Sequence, residues 1–160
     1  MVKLYRVDDR LIHGQVQTSW IREFMINRII IIDDNVVNDN LTKQILKIAK
    51  PPHVDLVICG TDRAMGLLEK DAQQQNARTL VIFKTITTAA EMKKQGLDIQ
   101  SMVIGPTSNK EGTVQMGKNT YFTETELAAT RYLNDEGVKM AIQLLPSEPR
   151  IEIGSILEKM

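Results

Sequence analysis

The chain has 160 residues, 42% of them hydrophobic and 25% charged, a composition typical of a globular protein. One domain over residues 1–160 buries roughly 70% of the surface that its unfolded chain exposes, so it needs no disulfide or structural metal. Its 20 basic and 20 acidic residues cancel, which argues against a nucleic-acid partner. Cys59 is the single cysteine, which excludes an internal disulfide.

The sequence shows no signal for secretion or for crossing a membrane. The first residues, MVKLYRVDDRL, contain no apolar stretch of signal-peptide length. The longest apolar runs, such as Ile29–Ile32 and Leu80–Phe83, are too short to span a bilayer. We therefore expect a protein of the reducing cytoplasm that reaches a membrane only through a partner.

Short apolar runs alternate with amphipathic segments along the chain. Runs rich in Val and Ile, with little polar alternation, are typical of strands covered on both faces. These runs are Val2–Val7, Ile29–Ile32, Leu56–Cys59, Leu80–Phe83, Met102–Ile104 and Met140–Leu145. A further strand is predicted near Thr113–Phe122, where Gly117 and Asn119 leave its limits open.

Hydrophobic residues between these runs recur at helical spacing. A first helix places Val16, Trp20 and Phe24 on one face, which we interpret as a core face. The second helix has its shared face at Leu41, Ile45, Ile48 and Ala49, and the third carries Ala64, Met65 and Leu68.

Capping residues locate the ends of several helices. Candidate N-caps are Asn38 or Asp39 for the second helix, Thr61 or Asp62 for the third, and Thr87 or Thr88 for the fourth. Thr123 and Glu126 form a capping box before the fifth helix. Gly96 and Gly137 are placed to end the fourth and fifth helices.

Alternating strands and helices predict an α/β fold, an open twisted parallel sheet with helices on both faces. Ligands of such sheets bind outside the carboxyl ends of the strands, where loops lead into helices. The loops at that edge are Asp8–Gly14, Asp33–Asn38, Gly60–Asp62, Lys84–Thr88 and Gly105–Gly112.

The first of these loops contains a histidine at the start of a helix. His13 precedes a helix N-terminus, whose unpaired N–H groups and partial positive charge favour a bound anion. Gly14 lets a ligand approach the backbone, and Arg10 offers a planar set of donors to phosphate oxygens. Asp8 or Asp9 could orient Arg10 or fix the tautomer of the imidazole.

These residue types suit a histidine that accepts a phosphoryl group and passes it on. Neutral imidazole is a nucleophile near pH 7, and transfer of this kind depends mainly on positioning and charge stabilisation. The alternative is a hydrogen-bonded structural histidine in a solvated turn. The residue types alone leave both interpretations open.

The segment Asp8–Val16, with the sequence DDRLIHGQV, resembles the signature of enzyme IIB components in the mannose/fructose/sorbose family of bacterial sugar phosphotransferase systems. The similarity continues along essentially the whole chain. Further similar segments are Ile32–Asp39, Pro51, Phe83–Thr85, Gly137–Val138 and Leu145–Pro146.

This resemblance implies a mostly parallel sheet of about seven strands and a phosphotransferase activity without a cofactor. His13 would take phosphate through Nδ1 from a phosphohistidine of a IIA partner, and would donate it to a sugar entering through the membrane components IIC and IID. Arg10 matches the phosphate-neutralising arginine of the family, and Asp8 its nearby carboxylate. The protein would then lie at the inner face of the membrane through IIC and IID, and homodimerisation is left open.

Other residues are candidates for supporting roles around the phosphate. Gly14 would contribute a helix-end amide, while Asp9, Gln15 and Lys84 are weaker candidates, with a solvated strand end as the alternative for Lys84. The loop Gly105–Gly112 departs from the family pattern, because Pro106 stands where a glycine is expected. That departure affects partner contacts or sugar preference rather than the histidine.

Other residues, and the fold itself, suggest further interpretations. Cys59 lies in an apolar strand without the arginine of a phosphocysteine loop, so we interpret it as a buried core residue. His53 follows two prolines and is interpreted as a solvated turn residue. A receiver domain would need an aspartate where Cys59-Gly60 stands, whereas a non-catalytic regulatory or binding module on the same fold stays as the alternative function.

Overall fold

The computed structural model describes the backbone of residues 1–160 and every side chain except those of Gln15 and Val16. The proposed support of the phosphate by Gln15, and the place of Val16 on the first helix face, therefore lie outside the described residues. Trp20 on that face is buried and Phe24 is half-buried against the same cluster, as the helical spacing predicts.

Strands and helices alternate along the chain. The strands are β1 (Val2–Val7), β2 (Arg28–Ile32), β3 (Asp55–Cys59), β4 (Thr79–Phe83), β5 (Ser101–Ile104), β6 (Val114–Gly117), β7 (Thr120–Phe122), β8 (Lys139–Ile142) and β9 (Ile151–Glu152). The helices are α1 (Gly14–Glu23), α2 (Asn40–Ala49), α3 (Thr61–Gln73), α4 (Ile86–Lys94), α5 (Glu124–Asp135) and α6 (Ile153–Glu158), with a 3-10 turn at Val36–Asn38.

Within the chain as described, seven strands form one sheet in the order β3-β2-β4-β1-β5-β8-β9. All neighbouring pairs are parallel except β8 and β9, which confirms the predicted mostly parallel sheet. The predicted strand near Thr113–Phe122 is instead the antiparallel hairpin β6-β7, outside this sheet. The seventh strand is β9, whose two residues are too short to form a recognisable apolar run.

The central strands are covered on both faces, which explains their unbroken apolar sequences. Trp20 and Ile21 of α1 and Leu46 of α2 pack on one face of the sheet. Residues of α3, α4, α5 and α6 pack on the other, and β2 and β4 are almost completely buried between the two layers. The carboxyl end of β1 therefore lies in the middle of a rigid sheet.

Helix α2 shows the limit of periodicity as a guide to burial. Leu46 is its buried residue, whereas the predicted face is exposed, with Leu41 at 69%, Ile45 at 56% and Ile48 at 85% of full exposure. Ala49 is also exposed. Helical spacing identifies residues that share a face, but it does not say which neighbours cover that face.

The predicted N-caps are confirmed in part. Asp39 caps α2, since its carboxylate accepts from Thr42 N at 3.1 Å. The N-cap of α3 is Gly60, not Thr61 or Asp62, because Asp34 on a neighbouring loop accepts from Thr61 N at 2.7 Å. A cap supplied across 27 residues leaves no local sequence signal.

The fourth helix begins earlier than its predicted caps. Its N-cap is Thr85, so Thr87 and Thr88 lie inside α4, where their hydroxyls hydrogen-bond the Thr85 hydroxyl at 2.7 and 3.3 Å. Gly96 and Gly137 follow the ends of α4 and α5 with φ of 105° and 86°, as predicted. No helix in the described part of the chain is both long and apolar enough to cross a membrane.

The capping box of α5 gives a test of the local energetics. The Thr123 hydroxyl accepts from Glu126 N at 3.1 Å, and Thr123 N donates to the Glu126 carboxylate at 3.3 Å. Thr123→Ala is expected to lower the free energy of unfolding by about 1 kcal/mol, because it leaves helix-end N–H groups without an acceptor. Urea denaturation measures this, and the exposed Thr125→Ala in the same turn should change it by less than about 0.5 kcal/mol.

Candidate functional site

The loop between β1 and α1 starts where the ends of three neighbouring strands meet. Asp8 N donates to Phe83 O at the end of β4 at 2.9 Å, and Gly105 N after β5 donates to Val7 O at 2.7 Å. Because β4 and β5 flank β1 on either side, the backbone at Asp8 is held from both directions. The loop therefore leaves the sheet from a fixed point.

The buried carboxylate of Asp8 organises this loop. Its Oδ2 lies 3.0 Å from His13 Nε2, 3.4 Å from Arg6 Nη2 and 3.5 Å from Gln17 Nε2. Its Oδ1 accepts from Arg10 N at 3.1 Å. Of the two adjacent aspartates, Asp8 is therefore the one that contacts the histidine.

The contact with Asp8 determines which nitrogen of His13 can react. A carboxylate paired with a guanidinium is ionised and can only accept, so His13 Nε2 carries the proton and donates it to Asp8. In the neutral ring this leaves the lone pair on Nδ1, for which no partner occurs among the described side chains and backbone. The ring is 17% exposed at the N-cap of α1, so it is held from inside and reachable from solvent.

The backbone before His13 is held in an unusual conformation. Leu11 has φ of 61°, a left-handed value that costs a residue with a Cβ of the order of 1–2 kcal/mol. Its side chain is buried, its N–H donates to Asp8 O at 3.1 Å, and its carbonyl accepts from Gln17 Nε2 at 2.7 Å. These contacts hold the strained turn two residues before His13.

Arg10 lies in the same loop, but its side chain points to solvent. Its guanidinium forms no ion pair with any side chain that the structure describes. It lines an open groove that includes Ser108, Asn119 and Tyr121. The structure thus leaves Arg10 as an exposed cation, without an ion-pair partner among the described residues, in the same loop as His13.

Asp9 connects the first loop to the loop that follows β5. Its Oδ2 accepts from Ser108 N at 3.2 Å and from Ser108 Oγ at 3.1 Å. Thr107 in turn exchanges hydrogen bonds with Tyr121 of the β6-β7 hairpin, at 2.6 and 2.7 Å. Loop Gly105–Gly112 is therefore joined to the first loop through Asp9.

The remaining predicted residues are placed around this centre. Gly14 is exposed at the first position of α1 with φ of 43°. Lys84 is half-buried after β4, and its charge contributes to the lowered pKa of Asp39, although hydrogen bonds from Thr42 are the main cause. Contact of Lys84 with phosphate stays a prediction.

The alternative nucleophiles lie elsewhere or are protected. Cys59 is buried, and burial, followed by the negative charges of Asp62 and Asp34, raises the pKa of its thiol to about 11. A neutral buried thiol is a poor nucleophile, in agreement with the interpretation as a core residue. His53 is exposed before β3, at the opposite edge of the sheet.

Sequence reasoning missed three residues of the site. Arg6, Gln17 and Gly105 contact Asp8 or lie against it. Arg6 had a signal, because an arginine inside a strand predicted to be buried needs a partner. Gln17 stands four residues after His13, on the same side of α1.

Comparisons with known proteins identify the family of the chain. The family model "PTS system sorbose subfamily IIB component" matches residues 2–160. The chain is 32% identical to a sorbose-specific EIIB component of Lacticaseibacillus casei, over 96% of this chain and 93% of that protein. It is 26% identical over its full length to 49% of a mannose-specific EIIAB component of Escherichia coli K12.

The fold agrees as well. The crystal structure of the IIBSor domain of the sorbose permease from Klebsiella pneumoniae has a TM-score of 0.91 at 29% identity. The alignment covers 100% of this chain and 98% of that domain.

The protected state of Cys59 can be tested by alkylation. Raising the thiol pKa from 9.0 to about 11 lowers the thiolate fraction at pH 8 by about 100-fold. Iodoacetamide is expected to label the native protein at least that much more slowly than the protein unfolded in urea, measured by intact mass. Equal rates would contradict a buried thiol, and Cys59→Ser gives the unlabelled reference.

Proposed function

The chain belongs to the sorbose subfamily of phosphotransferase-system IIB components and transfers phosphoryl groups in a sugar phosphotransferase system; we propose that His13 carries the phosphoryl group. The observation that supports this assignment is the 3.0 Å contact of His13 Nε2 with Asp8. It leaves Nδ1 as the nucleophile, at the helix end where an anion is stabilised.

The proposed reaction proceeds in two displacements. The Nδ1 lone pair attacks the phosphorus of a phosphohistidine on a IIA partner, and the broken N–P bond returns its electron pair to the partner's ring. A sugar hydroxyl oxygen then attacks the same phosphorus, the N–P bond at His13 breaks, and the hydroxyl proton leaves to solvent. Throughout both steps the proton stays on His13 Nε2 and is donated to Asp8, so the ring does not rotate between the steps.

The charge of the bound phosphoryl group needs compensation on the exposed side of the ring. Arg10 is exposed and unpaired among the described residues, three positions before His13, and its planar guanidinium matches phosphate oxygens. The Gly14 amide at the start of α1 is a further donor. We propose that these groups close on the phosphoryl group when it arrives, without a cofactor.

IIB components of this family work with IIA and with membrane IIC and IID components. We propose that this chain receives phosphate from such a IIA partner and delivers it to a sugar at IIC and IID, on the inner face of the membrane. The ring of His13 is 17% exposed at one edge of the sheet, which fits successive docking of both partners. The name EIIAB of the Escherichia coli relative, of which the chain matches 49%, supports a IIA partner.

The assignment of His13 is tested by phosphorylation with a phosphorylated cognate IIA component. His13→Ala is expected to take up no acid-labile phosphate, because the attacking nitrogen is gone. Wild type, His53→Ala and Cys59→Ser should each take up one phosphate, read by intact mass and peptide mapping. Phosphate retained on His13→Ala would refute the assignment, and an unmodified wild type that still binds IIA would indicate a binding module.

The role of Arg10 is tested by transfer kinetics. Arg10→Ala is expected to slow phosphoryl transfer from IIA by about 10²-fold, as loss of one preorganised donor to a developing charge does. The free energy of unfolding should stay within about 0.5 kcal/mol, because the side chain is exposed. Arg22→Ala, an exposed arginine at the far end of α1, is the matched control. Wild-type rates for Arg10→Ala in quenched-flow measurements would exclude the role.

A further inference from the structure

We propose that Arg6 is a positioning residue for phosphoryl transfer: it holds Asp8 in the place and charge state that keep the proton of His13 on Nε2. The inference rests on the proposed function of His13, and it adds a residue that does not touch the phosphoryl group. Arg6 acts through Asp8 alone.

The first observation is the burial of a full positive charge in the central strand. Arg6 is 0% exposed in β1, and burial lowers the pKa of its guanidinium, an effect that the charge of Asp8 opposes. Its Nε has no hydrogen-bond partner among the described residues. An apolar residue would fill this place at lower cost, so a purely structural account of Arg6 is weak.

The second observation is the way in which the guanidinium is held. Nη2 lies 3.4 Å from Asp8 Oδ2, while Nη1 donates to Gln143 O at 3.1 Å and Nη2 to Leu144 O at 3.5 Å. Trp20 lies against its face, with the ring centroid 5.1 Å from the guanidinium carbon, and donates through Nε1 to Leu144 O at 2.9 Å. The guanidinium of Arg6 thus connects Asp8 to the backbone carbonyls that follow β8.

The third observation is that the Arg6–Asp8 pair leaves no space for a side chain at position 105. A Cβ at Gly105 would lie 2.7 Å from Arg6 Nη2, 3.0 Å from Asp8 Oδ2 and 3.1 Å from Val7 O. Such distances are shorter than van der Waals contact, so a side chain here would displace the pair or the backbone. A glycine at the end of β5 is therefore required by the Arg6–Asp8 contact, and not by its backbone angles.

These contacts have a consequence for His13. A buried carboxylate without a counter-charge takes up a proton or turns towards water, and in either state it no longer accepts reliably from Nε2. With Arg6 in place, Asp8 stays an acceptor in a fixed position, and the nucleophilic tautomer is maintained. Lysine cannot replace Arg6 fully, because one ammonium does not reproduce the planar fork between Asp8 and the two carbonyls.

The test uses Arg6→Met, Arg6→Lys and Gly105→Ala in the full chain. In ¹⁵N-histidine NMR spectra, the Nε2–H tautomer of His13 should dominate in wild type and lose population in Arg6→Met, while exposed His53 is the unchanged internal reference. The maximal rate of transfer from phosphorylated IIA should fall about 10²-fold, as expected for a small misplacement of a reacting group. The KM for IIA should change less than about 3-fold, because the docking surface is intact.

Three further variants guard against trivial outcomes. Gly105→Ala keeps both charges and should shift the tautomer and the rate in the same direction as Arg6→Met, by a smaller amount. Arg6→Lys should recover part of the loss. Gly105→Ala and Arg6→Lys decide the question if Arg6→Met does not fold. Arg28→Met removes another arginine near an aspartate, Asp71 at 3.4 Å, and should leave tautomer and rate unchanged.

The inference is overturned if the folded Arg6 and Gly105 variants keep the wild-type tautomer and rate, or if Arg28→Met reduces the rate equally. That result differs from a failure of the proposed function. Phosphate on His13→Ala would remove the role of His13 whatever the Arg6 variants do. If His13→Ala takes up no phosphate while the Arg6 variants transfer it at the wild-type rate, only the role of Arg6 is refuted.

Discussion

The site depends on one buried carboxylate, that of Asp8, whose oxygens can only accept hydrogen bonds. Asp8 is completely buried, so its charge requires a counter-charge and its oxygens require donors. Arg6, His13 and Gln17 approach one oxygen, and Arg10 N donates to the other. The orientation of the imidazole, the path of the loop and the burial of the arginine all follow from this requirement.

The three charged residues at the start of the loop have different roles although they are neighbours in sequence. Asp8 points into the protein and is paired with Arg6. Asp9 accepts hydrogen bonds from Ser108 in the loop that follows β5. Arg10 is exposed and unpaired among the described side chains.

The parallel sheet explains why the site stands where it does. β1 lies between β4 and β5, so its carboxyl end is held by hydrogen bonds from both sides. The loop after β5 passes so close to Asp8 that Gly105 leaves no room for a Cβ. The histidine is consequently carried by a rigid scaffold, while the groove lined by Arg10 is formed largely by loops.

Patterns within short stretches of sequence determined much of this protein: the parallel sheet, the capping box of Thr123, and His13 beside an acidic pair at a helix start. Apolar strand runs and local capping motifs are formed by residues close together in sequence, so sequence patterns record them. Tertiary structure alone decided that Asp8 and not Asp9 holds the ring, that the Leu41 face of α2 is exposed, and that Arg6 reaches carbonyls 137 and 138 residues away. Contacts of that kind join elements whose relative placement comes from packing of the whole chain, so no local pattern contains them.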